Sequence, residues 1–180
     1  MKVHYSSPYS TDKNIGKAIN EFCDMVPDED WICLTDGDAM FLTPEYGMQI
    51  HEVASNAKFD LIGCLTNRLG RPIQRYKGSF SNDYNVLNHY NIAAELASRH
   101  WGEVQDITKA RYVAGMFMLF PKTLWNKIKF VENVANFDDL FSLAVIKQGG
   151  KLGMMKGLYM FHCYRIWSDN PKGDREHLSA

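Results

Sequence analysis

The chain lacks any stretch approaching the roughly 20 apolar residues that a bilayer-crossing helix needs. Its opening residues, Met1-Lys2-Val3-His4-Tyr5, hold no apolar segment of signal-peptide length. Both absences predict a soluble, cytoplasmic protein. It also lacks a charge bias. Twenty Lys and Arg against 21 Asp and Glu leave a formal net charge of −1. That balance argues against non-specific nucleic-acid binding, which shows as a basic excess, although a nucleic acid can still be a substrate. Cysteine is sparse. Cys23, Cys33, Cys64 and Cys163 are widely separated, no pair has zinc-ligand spacing, and three sit inside apolar runs. They read as small core residues in a reducing compartment. No glycine-rich phosphate loop of the Walker type is present. Neither is an internal repeat, nor a linker that would split the chain. The 180 residues, 46% hydrophobic, therefore read as one α/β domain spanning 1–180. Aromatic residues, at 13%, suit sugar- or nucleotide-binding grooves but equally fill cores.

What the chain does have is an alternation of strand-like and helix-like segments. Short strands are predicted over 2–5, 31–35, 60–66, 112–120 (interrupted by Gly115), 151–155 and 158–165. Helices are predicted over 12–25, from Thr43-Pro44-Glu45 to about Asn56, and over 84–101, 121–130 and 138–148. Pro27 stops the first helix, Thr43 suits an N-cap, and Gly149-Gly150 closes the last helix. Residues 67–82 hold two glycines, one proline and four basic residues, and read as a solvated surface loop.

The strongest chemical signal is Trp31-Ile32-Cys33-Leu34-Thr35-Asp36-Gly37-Asp38. A buried, β-prone run ends in two carboxylates with one glycine between them. Carboxylates at the end of a buried strand are costly unless a cation meets them, and two of them two residues apart can offer hard oxygen ligands to one divalent ion. The same tripeptide also occurs in ordinary turns. Two further groups lie far along the chain. Asp138-Asp139 opens a predicted helix, where an acidic pair also serves as cap and dipole partner. His162 stands in the apolar strand Leu158–Arg165, where a hydrogen-bonded core histidine is the plain alternative to a ligand.

In this order, strand-end Asp-x-Asp, then Ala114–Phe120, then an acidic pair opening a helix, then a Gly-Gly turn and a strand bearing histidine, the sequence resembles the GT-A glycosyltransferases. The likeness is greatest to their inverting, family-2-like members and covers roughly residues 14 to 165. It implies a mixed, Rossmann-like sheet flanked by helices. It also implies a Mn²⁺ or Mg²⁺ ion on Asp36, Asp38 and His162, with Asp38 the more direct ligand, and a nucleotide-sugar donor such as a UDP- or GDP-sugar. The acidic pair supplies the base that deprotonates an acceptor hydroxyl, Asp139 being slightly favoured over Asp138. The acceptor itself, whether glycan, lipid-linked intermediate, protein or modified base, stays open. One departure stands out: only one strand and one helix precede Trp31, where the family has two or three strand–helix units. Either the nucleotide half is shortened, leaving Ser7, Pro8, Tyr9 and Asn14 as a reduced base pocket with Asp36 facing the same ligand, or the donor is an unusual one. Arg165 is a candidate phosphate ligand, as are Arg68, Arg71, Arg75 and Lys77. The segment Trp167–Asp174, and the tail 168–180 generally, reads as a lid or a frayed end. Two other functions remain in view: a metal-dependent nucleotidyl- or phosphotransferase, and a non-catalytic binding domain of the same fold.

Overall fold

The computed structural model describes residues 1–56 and 58–166; the segment from Trp167 onward, read above as a lid or tail, lies outside them. The described chain is α/β, with an open, mixed, seven-stranded sheet flanked by helices. The strands are β1 (Val3–Ser6), β2 (Trp31–Thr35), β3 (Ala39–Phe41), β4 (Leu61–Thr66), β5 (Val104–Asp106), β6 (Phe117–Pro121) and β7 (Leu152–His162). The helices are α1 (Ile15–Asp24), α2 (Tyr46–Ser55), α3 (Val86–His100), α4 (Lys122–Lys127) and α5 (Phe137–Lys147).

The sheet order is β1-β2-β6-β4-β7-β3, with β5 added on β7. β1 runs parallel to β2, and β4 parallel to β7. β6 lies antiparallel between β2 and β4, which makes those two parallel to each other. Four strands, β1, β2, β4 and β7, therefore point the same way, and their carboxyl ends meet at one edge of the sheet. Ligands of open α/β sheets gather at such an edge.

The central strands are covered on both faces, so they read as continuous apolar runs. Successive side chains still alternate between faces. Ile32 and Leu34 of β2 join Ile19, Cys23, Met118, Phe120, Trp125, Phe141 and Val145 in one core. Trp31 and Cys33 join Ile50, Val53, Ile62, Phe117 and Leu119 in the other. The rings of Phe130 and Phe141 stack at 4.0 Å, seating α5 on the first face. Fully burying one such side chain stabilises a fold by about 1.5–3 kcal/mol. α1 is capped by Asn14, whose side-chain oxygen accepts from the backbone N–H of Lys17 at 3.2 Å and of Asn133 at 2.9 Å. Cys23, Cys33 and Cys64 are buried, and Cys163 partly so.

Several boundaries differ from the sequence-based expectation, each for a physical reason. The second helix begins at Tyr46 after Glu45, not at Thr43, which instead accepts the Tyr46 N–H through its carbonyl in a turn. Residues 112–116 run beside the sheet without joining it, and the strand starts at Phe117. The two strands expected over 151–165 are one, β7. Its pairing with β4 shifts between Cys64↔Met155 and Leu65↔Tyr159, so 156–158 bulge out of register. Gly157 lies in that bulge, where a Cβ would sit 2.5 Å from the His100 carbonyl oxygen. β3 and β5 were not foreseen. The loop 67–82 is not uniformly solvated: it contains short 3₁₀ turns at Pro72–Gln74 and Tyr76–Gly78, and Arg68 and Gln74 are fully buried. Among the described residues no helix is long and apolar enough to cross a membrane.

Candidate functional site

All four parallel strands deliver residues to one cavity of about 820 Å³. Pro8 follows β1, Asp36 to Asp38 follow β2, Leu69 to Arg71 follow β4, and His162 ends β7. The N-terminus of α5 supplies Asp138 and Asp139 across the same space. The Asp-x-Asp pair, the histidine and the acidic pair, up to 126 residues apart by number (36 to 162), thus line a single cleft.

β3 explains why Asp38 and His162 meet. It pairs antiparallel with the end of β7, with Ala39 opposite His162, and the N–H of Cys163 donates to the Asp38 carbonyl at 2.9 Å. The Asp36 carbonyl accepts from the Ala39 N–H across the intervening turn, while its own N–H is held by the Met116 carbonyl. One ligand atom each from Asp36, Asp38 and His162 lies within 4.8 Å of the others, a separation that one ion can bridge.

The imidazole of His162 is fixed in both position and tautomer. Its backbone N–H donates to the side-chain oxygen of Asn67 at 2.7 Å. Its Nδ1 lies 3.0 Å from the Arg68 carbonyl oxygen, which can only accept, so Nδ1 carries the proton. A ligating histidine is usually oriented by a hydrogen bond of this kind. Nε2 then faces Asp38 Oδ1 at 3.1 Å and Asp36 Oδ2 at 3.7 Å. A lone pair against two carboxylate oxygens is repulsive unless a proton or a metal cation lies between them. His162 is buried, whereas both aspartate side chains are about half exposed to the cavity.

The electrostatics of the two aspartates diverge. Burial raises the Asp36 carboxyl to about 6, and the nearby charges of Asp38 and Asp138 add to the rise against the pull of His162. Burial acts on Asp38 in the same sense, but its hydrogen bond and charge interaction with His162 outweigh it and hold that carboxyl below its usual range. Among the described lining residues, four carboxylates stand against two guanidiniums, those of Arg71 and Arg165, and one imidazole.

Across the cavity the acidic pair is differently served. Asp138 is not the helix cap, a position that Asn136 occupies. Its Oδ2 accepts from the Tyr112 hydroxyl at 2.9 Å and the Gly115 N–H at 3.0 Å, and its Oδ1 from the Asp139 N–H at 2.9 Å. Burial, then the charge of Asp138, raises the Tyr112 phenol, which keeps it a donor. The Arg71 guanidinium lies 2.7 Å from both oxygens of Asp139 and stacks 4.1 Å from the Tyr112 ring centroid.

The remaining predicted residues fall into two groups. Pro8 and Arg165 line the cavity. Ser7, Tyr9 and Asn14 do not: the Ser7 hydroxyl bonds to that of Thr35 at 2.8 Å, Tyr9 is 81% exposed, and Asn14 caps α1. Sequence reasoning missed Asn67, Tyr112 and Gly115. From the sequence, Arg68 and Arg71 are no more than phosphate-holding candidates in a solvated loop. A polar Thr-Asn-Arg run that closes and follows a buried strand is the one available signal for Asn67. No protein-family model matches the chain, and a search of curated proteins finds no match.

Proposed function

We propose that this protein is a metal-dependent glycosyltransferase of the GT-A kind, moving a sugar from a UDP- or GDP-sugar to an acceptor hydroxyl with inversion. The observation that carries the reading is the carboxylate–carboxylate–imidazole cluster at the carboxyl ends of parallel strands, facing a second acidic pair across one cavity. The donor set, two carboxylates and one neutral imidazole nitrogen, fits Mn²⁺ or Mg²⁺. Asp36, Asp38 and His162 would hold it. When bound, such an ion neutralises charge developing on the leaving diphosphate.

The chain's own groups divide the remaining work. Asp139 takes the proton of the acceptor hydroxyl as that oxygen bonds to the anomeric carbon and the carbon–phosphate-oxygen bond breaks. Asp138 is fully engaged with Tyr112, Gly115 and the Asp139 N–H, so it positions its neighbour and the 112–116 segment. Arg71 aims Asp139 into the cavity and must give way to the acceptor. Arg165 meets a diphosphate oxygen. Pro8 contacts the base. Opposed faces for base and leaving group favour inversion.

Calorimetric titration with UDP and GDP, with and without Mn²⁺, tests the reading. Metal-dependent binding is expected, together with slow release of diphosphate from one nucleotide sugar in a screen. Nucleotide binding that ignores metal sinks the proposal. Metal-dependent turnover of nucleoside triphosphates instead of nucleotide sugars favours nucleotidyl or phosphoryl transfer, and binding without any turnover favours a non-catalytic domain.

A further inference from the structure

Arg68 is the largest fully buried side chain among the described residues, and nothing in the proposed chemistry uses it. Its guanidinium reaches two separate stretches of chain, 164–165 and 81–84. Nε donates to the Tyr164 carbonyl at 2.8 Å and one terminal nitrogen to the Arg165 carbonyl at 2.6 Å. The other terminal nitrogen donates to the Ser81 carbonyl at 2.7 Å, the Asn82 side-chain oxygen at 3.1 Å and the Tyr84 hydroxyl at 3.3 Å. The rings of Phe80 and Tyr84 flank it, at 4.2 and 5.4 Å. Meanwhile the backbone carbonyl of Arg68 fixes the His162 tautomer.

We infer that Arg68 is a positioning residue for the metal cluster: its side chain anchors the backbone on which the His162 imidazole is aimed. Two observations support this independently of the hydrogen-bond count. Arg165 adopts φ 50°, a left-handed conformation that a non-glycine residue keeps only where its surroundings hold it. The Arg68 guanidinium grips its carbonyl. Second, the chain leaving Arg68 leads directly to Leu69, Gly70 and Arg71 in the cavity wall, while the chain it grips, Tyr164 and Arg165, forms another part of that wall. One buried cation thus ties the end of β7 to the loop after β4, and its rigid fork is what lets it satisfy several carbonyls at once. Lysine, with a single point of charge, cannot reproduce that.

The inference rests on the metal-site reading, and its test separates the two. Mn²⁺ affinity is measured calorimetrically on the full chain, and nitrogen hyperfine coupling of the bound Mn²⁺ is read by pulsed electron paramagnetic resonance. Wild-type protein that takes up no Mn²⁺ at pH 7.5 overturns the metal site and this inference with it. If the wild type binds, Arg68→Lys is expected to weaken Mn²⁺ binding 10–100-fold, the range typical of groups that orient a ligand, and to reduce the imidazole coupling. Val53→Ala, in the α2 core away from the cavity, serves as a control that loses stability without losing affinity. Should Arg68→Lys not fold, the double variant Asn82→Ala/Tyr84→Phe removes two partners at exposed positions and is expected to weaken binding several-fold. Unchanged affinity and unchanged nitrogen coupling in a folded variant overturn the positioning role while leaving the metal site standing.

Discussion

The two acidic pairs that face each other across the cavity are built on opposite principles. Asp138 and Asp139 are provided for by the protein itself: a phenol, two backbone N–H groups and a guanidinium supply donors to their oxygens. Asp36 and Asp38 share one imidazole between them, and that imidazole's proton is already committed to a carbonyl on its far side. The carboxyl groups of this pair part: burial pushes Asp36 up to about 6, whereas the hydrogen bond and charge interaction with His162 outweigh burial at Asp38 and hold it below its usual range. A self-sufficient pair can hold its geometry before any ligand arrives. A pair left short of positive charge can be completed by a proton or, on the proposed reading, by a metal cation. The same residue type, on one wall of a cleft and on the other, is preorganised in one case and poised in the other.

The largest expected break in this comparison comes from Asp38→Asn. Removing the carboxylate proposed as the more direct ligand should abolish metal-dependent UDP or GDP binding, a loss exceeding the roughly 10–100-fold typical of outer groups, with the far-ultraviolet circular dichroism unchanged. A variant that binds Mn²⁺ and nucleotide as the parent does refutes the assignment. Asp139→Asn should do the reverse. Metal and nucleotide binding persist, while transfer to acceptor falls by about 10²–10⁴-fold, the usual loss of a general base. Equal turnover per folded molecule would reduce Asp139 to a partner for Arg71.

Stability should separate the walls by sign. Asp138→Ala strands the Tyr112 hydroxyl and two N–H groups, and denaturant melts are expected to show a loss of about 1–3 kcal/mol. Asp36→Asn, by contrast, removes a carboxylate that the metal-free fold disfavours, so at pH 7 the metal-free variant should melt slightly above the wild type. A fall in melting temperature for Asp36→Asn would contradict the raised Asp36 carboxyl.

The smallest effect is the pH dependence of the metal-free protein. Asp36 binds its proton more tightly folded than unfolded, with its carboxyl moved from 3.8 to about 6. Its contribution to stability is therefore fully present below pH 3.8 and is lost as pH rises through about 6. Asp38, lowered, contributes in the opposite sense: its share is present above the ordinary carboxylate range and lost as pH falls through its depressed value. Thermal melts between pH 4 and 6.5 should show the Asp36 component, absent in Asp36→Asn. Saturating Mn²⁺ should reverse the slope, because metal competes with that proton. A metal-free slope identical in wild type and Asp36→Asn rules the account out.

Legibility along the chain followed the length and closure of each pattern. β2 was readable to the residue, since a fully buried strand must be an unbroken apolar run and the carboxylates mark where burial ends. α1, α3 and α5 were readable to within one to three residues at each end, because a core-facing stripe repeats with the helix period. β3 and β5, three residues each, hold no period at all, and their existence depends on partners in β7. Gly157 lies in the break between the two strands expected over 151–155 and 158–165, whereas it sits in a bulge within one.

The sequence by itself determined the alternation of strands and helices, the two apolar faces of the sheet, and which carboxylates and imidazole were available for chemistry. Residue type and local spacing carry that information. Only the tertiary structure decided which of them meet. The Ala39↔His162 register sets Nε2 beside Asp38, and the antiparallel β6 leaves β2 and β4 pointing the same way. Tertiary contacts also decided that Arg68, in a polar loop, is buried: its carbonyl partners at Tyr164 and Arg165 lie some 96 and 97 residues on. A buried charge is affordable only where distant backbone supplies its hydrogen bonds, and pairing at that separation leaves no trace in local sequence.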